Sequence, residues 1–182
     1  INQHQSGFRP FHSTETSLIN MVDGWLSNMN SGKMTGVAFV DLRKAFDTVN
    51  HEILLNKLYD IGATDGTVKW FRSYLTQRTQ KVLFRGSMSN ALPVNTGVPQ
   101  GSILGPLLFI IFINNMCNVI KYGDISMYAD DTTLSVSGDN ANDISRKLKL
   151  DLEALVIWLR NNKLFLNTDK TKIMLVLSLI HI

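Results

Sequence analysis

Apolar residues recur along the chain at two periods, and each change of period marks an element. Leu18, Met21, Val22, Trp25 and Met29 fall at helical spacing, with Ser13 or Thr14 as cap and Gly32 as stop. Gly36-Val37-Ala38-Phe39-Val40 is a short continuous apolar run, the pattern of a strand, and it leads into Asp41. Ile53, Leu54, Leu55, Leu58 and Ile61 predict a second helix closed by Gly62, and Val68, Trp70, Phe71, Tyr74 and Leu75 a third. Residues 81–85 and 91–95 read as a hairpin about Gly86-Ser87. Residues 103–113 predict a fourth helix, with Pro106 early enough that its missing donor costs little.

Residues 125–129 and 132–136 read as paired strands that leave Asp130-Asp131 at their turn. Ile144, Leu148, Leu152, Leu155, Trp158 and Leu159 then define a long amphipathic helix, followed by short strands at 164–166 and 173–177. This order predicts an α+β domain, an antiparallel sheet with helices packed on one face. No internal repeat or linker interrupts it.

Composition narrows the class. With 182 residues, 45% hydrophobic and 18% charged, the chain can bury a core and is not a disordered tail. Its single cysteine, Cys117, excludes an internal disulfide and fits a reducing intracellular compartment, nuclear or cytoplasmic. The apolar run at 103–113 is far shorter than the roughly 20 residues a membrane crossing needs, so no membrane is expected. A first residue other than Met and an apolar, uncapped tail from Leu177 to Ile182 read as a piece of a longer protein, with a non-native seam at the tail as one reading.

The formal charge of +3 says little, but its distribution says more. No Asp or Glu lies between Asp65 and Asp124, a stretch that holds Lys69, Arg72, Arg78, Lys81, Arg85 and Lys121. Such a stretch is a candidate phosphate-facing surface, with Arg72, Arg78, Lys81 and Arg85 as its nucleic-acid contacts. A solvated basic face is the plainer alternative.

The acids carry the chemistry. Asp-Asp at a turn can mean only that Asp favours turns. Here a further strand ends in Asp41, and two strands that each deliver a carboxylate can build the oxygen-rich site Mg²⁺ prefers, the arrangement of two-metal phosphoryl transfer.

Four segments follow in order: Phe39-Val40-Asp41-Leu42-Arg43-Lys44-Ala45-Phe46-Asp47, Gly97-Val98-Pro99-Gln100-Gly101-Ser102, Tyr128-Ala129-Asp130-Asp131, and Leu164-Phe165-Leu166-Asn167-Thr168-Asp169-Lys170-Thr171-Lys172. Together they resemble the successive palm motifs of reverse transcriptases. Gln5-Ser6-Gly7-Phe8-Arg9-Pro10 with Ser13-Thr14 is similar to the segment before them in the non-LTR, LINE-type branch. One departure is Asn114-Asn115 where that family commonly has Asn-Asp.

The resemblance implies a reverse transcriptase palm over residues 36–182, with 1–35 as the C-terminal remnant of the fingers and 65–99 read as palm or as a contribution to the fingers. Upstream fingers and the downstream thumb would lie outside the chain. Asp41, Asp130 and Asp131 would be catalytic and would hold two Mg²⁺ ions, with Mn²⁺ as a substitute. Leu42, Lys44, Ala45, Phe46, Gln100 and Gly101 would bind the nucleotide, Phe46 excluding a 2′-hydroxyl by a clash. Lys170, with Lys172 second, would protonate or neutralise pyrophosphate. Asp47 reads as structural, through capping or hydrogen bonding near the next helix.

The implied partners are dNTP and an RNA or DNA template with its primer. Three functions stay open: an RNA-directed DNA polymerase palm, a catalytically inactive nucleic-acid-binding remnant of a retrotransposon, and an unrelated Mg²⁺ phosphohydrolase that would have no use for Phe46 or Gln100-Gly101.

Overall fold

The computed structural model describes residues 1–178; most of the apolar tail lies outside the described residues. Helix α1 (Thr14–Asn30) opens with Ser13, whose hydroxyl accepts from the Thr16 N–H while the Thr16 side chain accepts from the Ser13 N–H, a reciprocal cap. Strand β1 (Met34–Val40) follows, then α2 (His51–Asp60), capped by Asn50, and α3 (Asp65–Leu75), capped by Thr64. A protruding arm holds β2 (Arg78–Gln80), β3 (Leu83–Phe84), β4 (Ser87–Met88) and β5 (Leu92–Val94). The chain returns through α4 (Leu104–Phe112), β6 (Asp124–Tyr128), β7 (Asp131–Gly138), α5 (Ala141–Asn161) and β8 (Lys172–Val176).

Four strands form one antiparallel sheet in the order β6-β7-β1-β8. β1 sits inside it, which is why its residues from Thr35 to Ala38 are all buried rather than alternating. On one face the α5 residues Ile144 and Leu148 lie against Gly36, and Ala38, Val40, Leu134, Val136, Ile125 and Met127 join Leu108, Phe109 and Leu155 in the core. Helix α4 is apolar nearly all round and is accordingly central, with Leu108 to Phe112 buried.

Three expectations are corrected. Helix α1 lies on the opposite face of the sheet, where Trp25 Nε1 donates to Ser135 Oγ and Asn28 Nδ2 to Thr35 Oγ1. Of its expected apolar stripe, Met21, Trp25 and Met29 are half-buried, whereas Leu18 and Val22 are exposed. The arm is not one hairpin about Gly86-Ser87: β2 pairs with β5, and β3 with β4 around Arg85-Gly86, both at positive φ. Residues 164–166 form no strand, only a single bridge from Leu166 to Leu42.

A buried carboxylate sets the entry to β6. Asp151 of α5, 1% exposed, accepts from the consecutive backbone N–H groups of Lys121, Tyr122 and Gly123, so the loop before β6 is pinned to the helix behind the sheet.

Lys57 plays a comparable part between α2, α4 and α5. Its ammonium donates to the Phe112 carbonyl and to Asn115 Oδ1 and lies 4.8 Å and 4.6 Å from the ring centroids of Phe112 and Trp158. Burial pushes it down to about 8, against the pull of Asp60, from an ordinary 10.5. Between those values the unfolded chain holds a proton that the folded chain has shed, so this group makes stability rise with pH across that window. Relative to Lys57→Met, the parent should therefore gain stability from pH 8 to pH 10; parallel denaturant titrations that leave the difference constant would remove Lys57 as the cause.

Candidate active site

The register of the sheet gathers the acids. β1 ends with Val40 opposite Thr132, which brings Asp41, the next residue, to the end of the sheet where Asp131 begins β7. Tyr128 pairs with Asp131, which leaves Ala129-Asp130 as a two-residue loop. Asp130 is thus in the turn, while Asp131 opens β7 rather than sharing the turn. Loss of hydration raises the Asp131 carboxyl above the ordinary aspartate range, and the charges of Asp130 and Asp41 raise it further. The three carboxylates share one end of the sheet and repel one another.

Asp41 is held from the far side by a segment whose sequence reads as a strand. Asn167 Nδ2 donates to Asp41 Oδ2 at 2.7 Å, the Asn167 N–H donates to the Asp41 carbonyl at 2.8 Å, and the Asp41 N–H donates to Thr171 Oγ1 at 3.3 Å. The Arg43 N–H donates to the Phe165 carbonyl at 2.8 Å. Asn167 is a site residue that the sequence reading missed. The signal available was its type, since Asn readily bonds backbone at turns.

Asp41 and Asp130 line a cleft of about 990 Å³ together with Lys44, Phe46, Gln100 and Lys170. Leu42 and Ala45 contribute buried wall, at 6% and 3% exposure. Arg43 and Arg160, neither singled out from the sequence, add two further cations. The Phe46 ring stacks on Phe109, with centroids 4.3 Å apart and planes at 24°, and meets Phe8 edge-on at 6.5 Å. Phe46 is therefore both packed and part of the cleft wall. Lys172 is turned away and donates to the Asp169 carbonyl.

Asp47 does not cap α2, because Asn50 does. Its carboxylate instead accepts from Gln100 Nε2 at 2.7 Å, and its carbonyl accepts from Thr96 Oγ1 at 3.0 Å. Asp47 thereby ties two of the motifs together. At Gly101 a side chain would meet nothing, so the glycine is explained by its φ of +77° rather than by a close approach.

The family model described as reverse transcriptase (RNA-dependent DNA polymerase) matches residues 1–179. The chain belongs to the reverse transcriptase family. It is 33% identical over 180 residues to a probable RNA-directed DNA polymerase from transposon BS, and 31% identical over 177 residues to the RNA-directed DNA polymerase from mobile element jockey, both of Drosophila melanogaster. These alignments cover 94% and 93% of the chain but 20% and 19% of those relatives, so the chain spans about a fifth of their length. The resemblance to the non-LTR branch holds. In fold, the chain is similar to Candida tropicalis telomerase in complex with a telomeric RNA fragment, with TM-score 0.70 at 13% identity over 95% of the chain and 30% of that structure. Candida albicans telomerase gives 0.65 at 15% identity over 90% of the chain and 31% of that structure. The α+β reverse transcriptase fold is thus shown.

Reverse transcriptases generally use divalent metal ions. Among the described residues no group of three or more His, Cys, Asp or Glu side chains is arranged to hold one. That is compatible with Mg²⁺, which is commonly held by one or two carboxylates while water and substrate phosphates complete its shell. Loss of hydration together with the charges of Asp130 and Asp41 raises the proton affinity of Asp131, and this is the chemistry that a divalent cation relieves.

The basic stretch divides in two. Arg72 is committed to Glu52, both guanidinium arms meeting both carboxylate oxygens, so the acid missing from the stretch comes from outside it. Arg78 lines a polar pocket with Lys44, Asp47 and Gln100, and its Nη1 is buried without a partner. Lys81 and Arg85 are exposed on the arm, where the Arg85 guanidinium lies 5.2 Å from the Phe84 ring centroid. Among the described residues no helix is long and apolar enough to cross a membrane.

Proposed function

We propose that the chain is the palm of an RNA-directed DNA polymerase that joins a dNTP to the 3′-hydroxyl of a primer on an RNA or DNA template. The observation that carries this reading is the sheet register, Val40 opposite Thr132 and Tyr128 opposite Asp131, which brings Asp41, Asp130 and Asp131 to one end of the sheet beside a cleft that Phe46, Gln100 and Lys170 also line.

Asp41, Asp130 and Asp131 would hold two Mg²⁺ ions. When bound, such ions activate the primer hydroxyl and neutralise charge on the triphosphate and departing pyrophosphate. The chain's own residues would do the positioning. Asn167 fixes the rotamer of Asp41, leaving its other carboxylate oxygen for ligation. The backbone of Lys44 and Ala45 would receive the phosphates, with Lys44, Arg43 and Arg160 supplying positive charge around them. Phe46, held by Phe109, would lie under the sugar, and Gln100, held by Asp47, would face the nucleotide and template. Lys170 would give a proton to pyrophosphate. Residues 1–35 belong in this reading to the fingers and the sheet with its helices to the palm.

Template-directed extension tests the reading. The full-length protein carrying this chain should extend a primer with dNTP and Mg²⁺ and should not hydrolyse p-nitrophenyl phosphate; the reverse would make it a phosphohydrolase. At equal concentration the 182-residue chain should work at about 1% of that rate or less, because alignment of reactants supplies much of the barrier reduction. Binding of primer–template without extension by either protein would select the inactive remnant.

On the arm, Arg78, Lys81 and Arg85 would contact phosphate, whereas Arg72 is already paired. Changing the three to Gln should flatten the salt dependence of primer–template binding by about 0.9 in log K against log salt for each phosphate no longer neutralised on B-form DNA. Arg72→Gln should leave the slope unchanged. A triple variant with the parental slope returns the arm to a solvated basic face.

A further inference from the structure

The Ala129-Asp130 loop is gripped from outside the sheet by one side chain. Gln5 is 1% exposed, and its amide makes both complementary bonds to Ala129: Nε2 donates to the Ala129 carbonyl at 3.1 Å, and the Ala129 N–H donates to Oε1 at 2.9 Å. The Gly7 N–H donates to the same Oε1 at 2.7 Å, which leaves the amide no freedom to flip. The flanking backbone runs alongside β6, the Ser6 N–H donating to the Met127 carbonyl and the Met127 N–H to the His4 carbonyl, both at 2.8 Å. Gly7 sits so close that a Cβ there would stand 2.3 Å from the Ala129 nitrogen.

Ala129 needs such a partner. Its φ is +55°, unfavourable for a residue with a Cβ, and at 8% exposure it has little water to satisfy its backbone groups. Only a side chain with a donor and an acceptor side by side can satisfy both its N–H and its carbonyl. Glu offers no donor, Asn is one methylene too short, and Met offers neither group.

We infer that Gln5 is a positioning residue for catalysis: by fixing the strained backbone of Ala129, it aims Asp130 at the ligating position beside Asp41. The inference rests on the metal-ligand reading of Asp41 and Asp130. Gln5 touches neither substrate nor reacting atoms, and it acts through the loop alone.

The test uses the full-length protein with Gln5→Ala, Gln5→Glu and Asp130→Asn, and Gln5→Ala combined with Ala129→Gly, which relieves the positive φ without restoring the bonds. Primer-extension kcat, the KM for dNTP, the melting temperature, and Mn²⁺ affinity by electron paramagnetic resonance are read for each. Gln5→Ala and Gln5→Glu should lower kcat about 100-fold, the scale of a small misplacement, with KM for dNTP little changed and Mn²⁺ bound several-fold more weakly. The double variant should recover melting temperature but neither kcat nor Mn²⁺ affinity.

Return of kcat together with melting temperature in the double variant would show that Gln5 only stabilises the fold and would overturn the inference. So would parental kcat in Gln5→Ala, or failure of every Gln5 variant to fold, the double variant included. If Asp130→Asn keeps Mn²⁺ binding and extension, the metal-ligand reading itself fails. If Asp130→Asn loses both while Gln5→Ala keeps both, that reading stands and only the role of Gln5 falls.

Discussion

Asp130→Asn and Asp41→Asn, each made in the full-length protein, should lower Mg²⁺-dependent primer extension by about 1000-fold, the scale on which a lost charge-stabilising group acts. An amide keeps the shape of the carboxylate but not its charge, and a hard cation held by few protein ligands depends on that charge. The fold should survive in both. Beyond the loss of hydration, the charges of Asp130 and Asp41 raise the proton affinity of Asp131, so removing one of those charges should leave the melting temperature equal or higher. At Asp41 the change also alters the bond with Asn167, where an Asn carbonyl can still accept from Nδ2. Asp47→Asn is the matched control: it too loses a carboxylate, but an Asn oxygen still accepts from Gln100 Nε2, so the loss should be tenfold or less, about one neutral hydrogen bond's worth. Single-turnover extension across a range of Mg²⁺ concentrations decides the matter, and near-parental rates in Asp130→Asn would remove Asp130 from the ligand set.

The elements were legible wherever one period ran long enough. α1, α2, α3, α4 and α5 appear where apolar spacing places them, and β1 and the β6–β7 pair likewise, because burial of one face or both is written into the order of residues. The expectations that were corrected are those decided by tertiary contact. The segment at 164–166 alternates like a strand but meets a chain that has already left the sheet at Asp41, so it contributes single bonds and one bridge. The arm divides because the positive φ of Arg85 and Gly86 closes a tighter turn than the one expected at Gly86-Ser87, while Pro93 still pairs with Thr79 at the base. The acids stood out in the sequence because Asp41 and Asp130-Asp131 fall at strand ends in the company of the other motif segments, where a lone Asp-Asp at a turn would not. Gln5, Asn167 and Asp151 could not, since the bonds that give them meaning span 124, 126 and 28 to 30 residues, and nothing local distinguishes them from other polar residues. Asp47 is the intermediate case: a role in hydrogen bonding was readable, but its partner Gln100 was not.

Phe46→Val should admit ribonucleotides. The ring is held against Phe109 at 4.3 Å in the wall that it shares with Asp41 and Gln100, and a ring fixed in this way can reject a 2′-hydroxyl only by occupying its place. Valine is shorter and leaves the carboxylates untouched, so the ratio of kcat/KM for dNTP over rNTP should fall by about 10- to 200-fold, the range that a single group in a tight pocket controls. The rate with dNTP should change much less. The same substitution removes a stacked aromatic pair and the edge contact from Phe8, at a stability cost of about 1 kcal/mol beyond the lost burial, so the melting temperature should drop as well. That drop must be separated from selectivity. Phe109→Leu removes the support while leaving the Phe46 ring present, and it should lower the melting temperature with a smaller change in the ratio. A ratio unchanged in Phe46→Val would assign the ring to packing alone. An equal fall in both variants would show that loosening the wall, rather than vacating the place of the 2′-hydroxyl, is what admits the ribonucleotide.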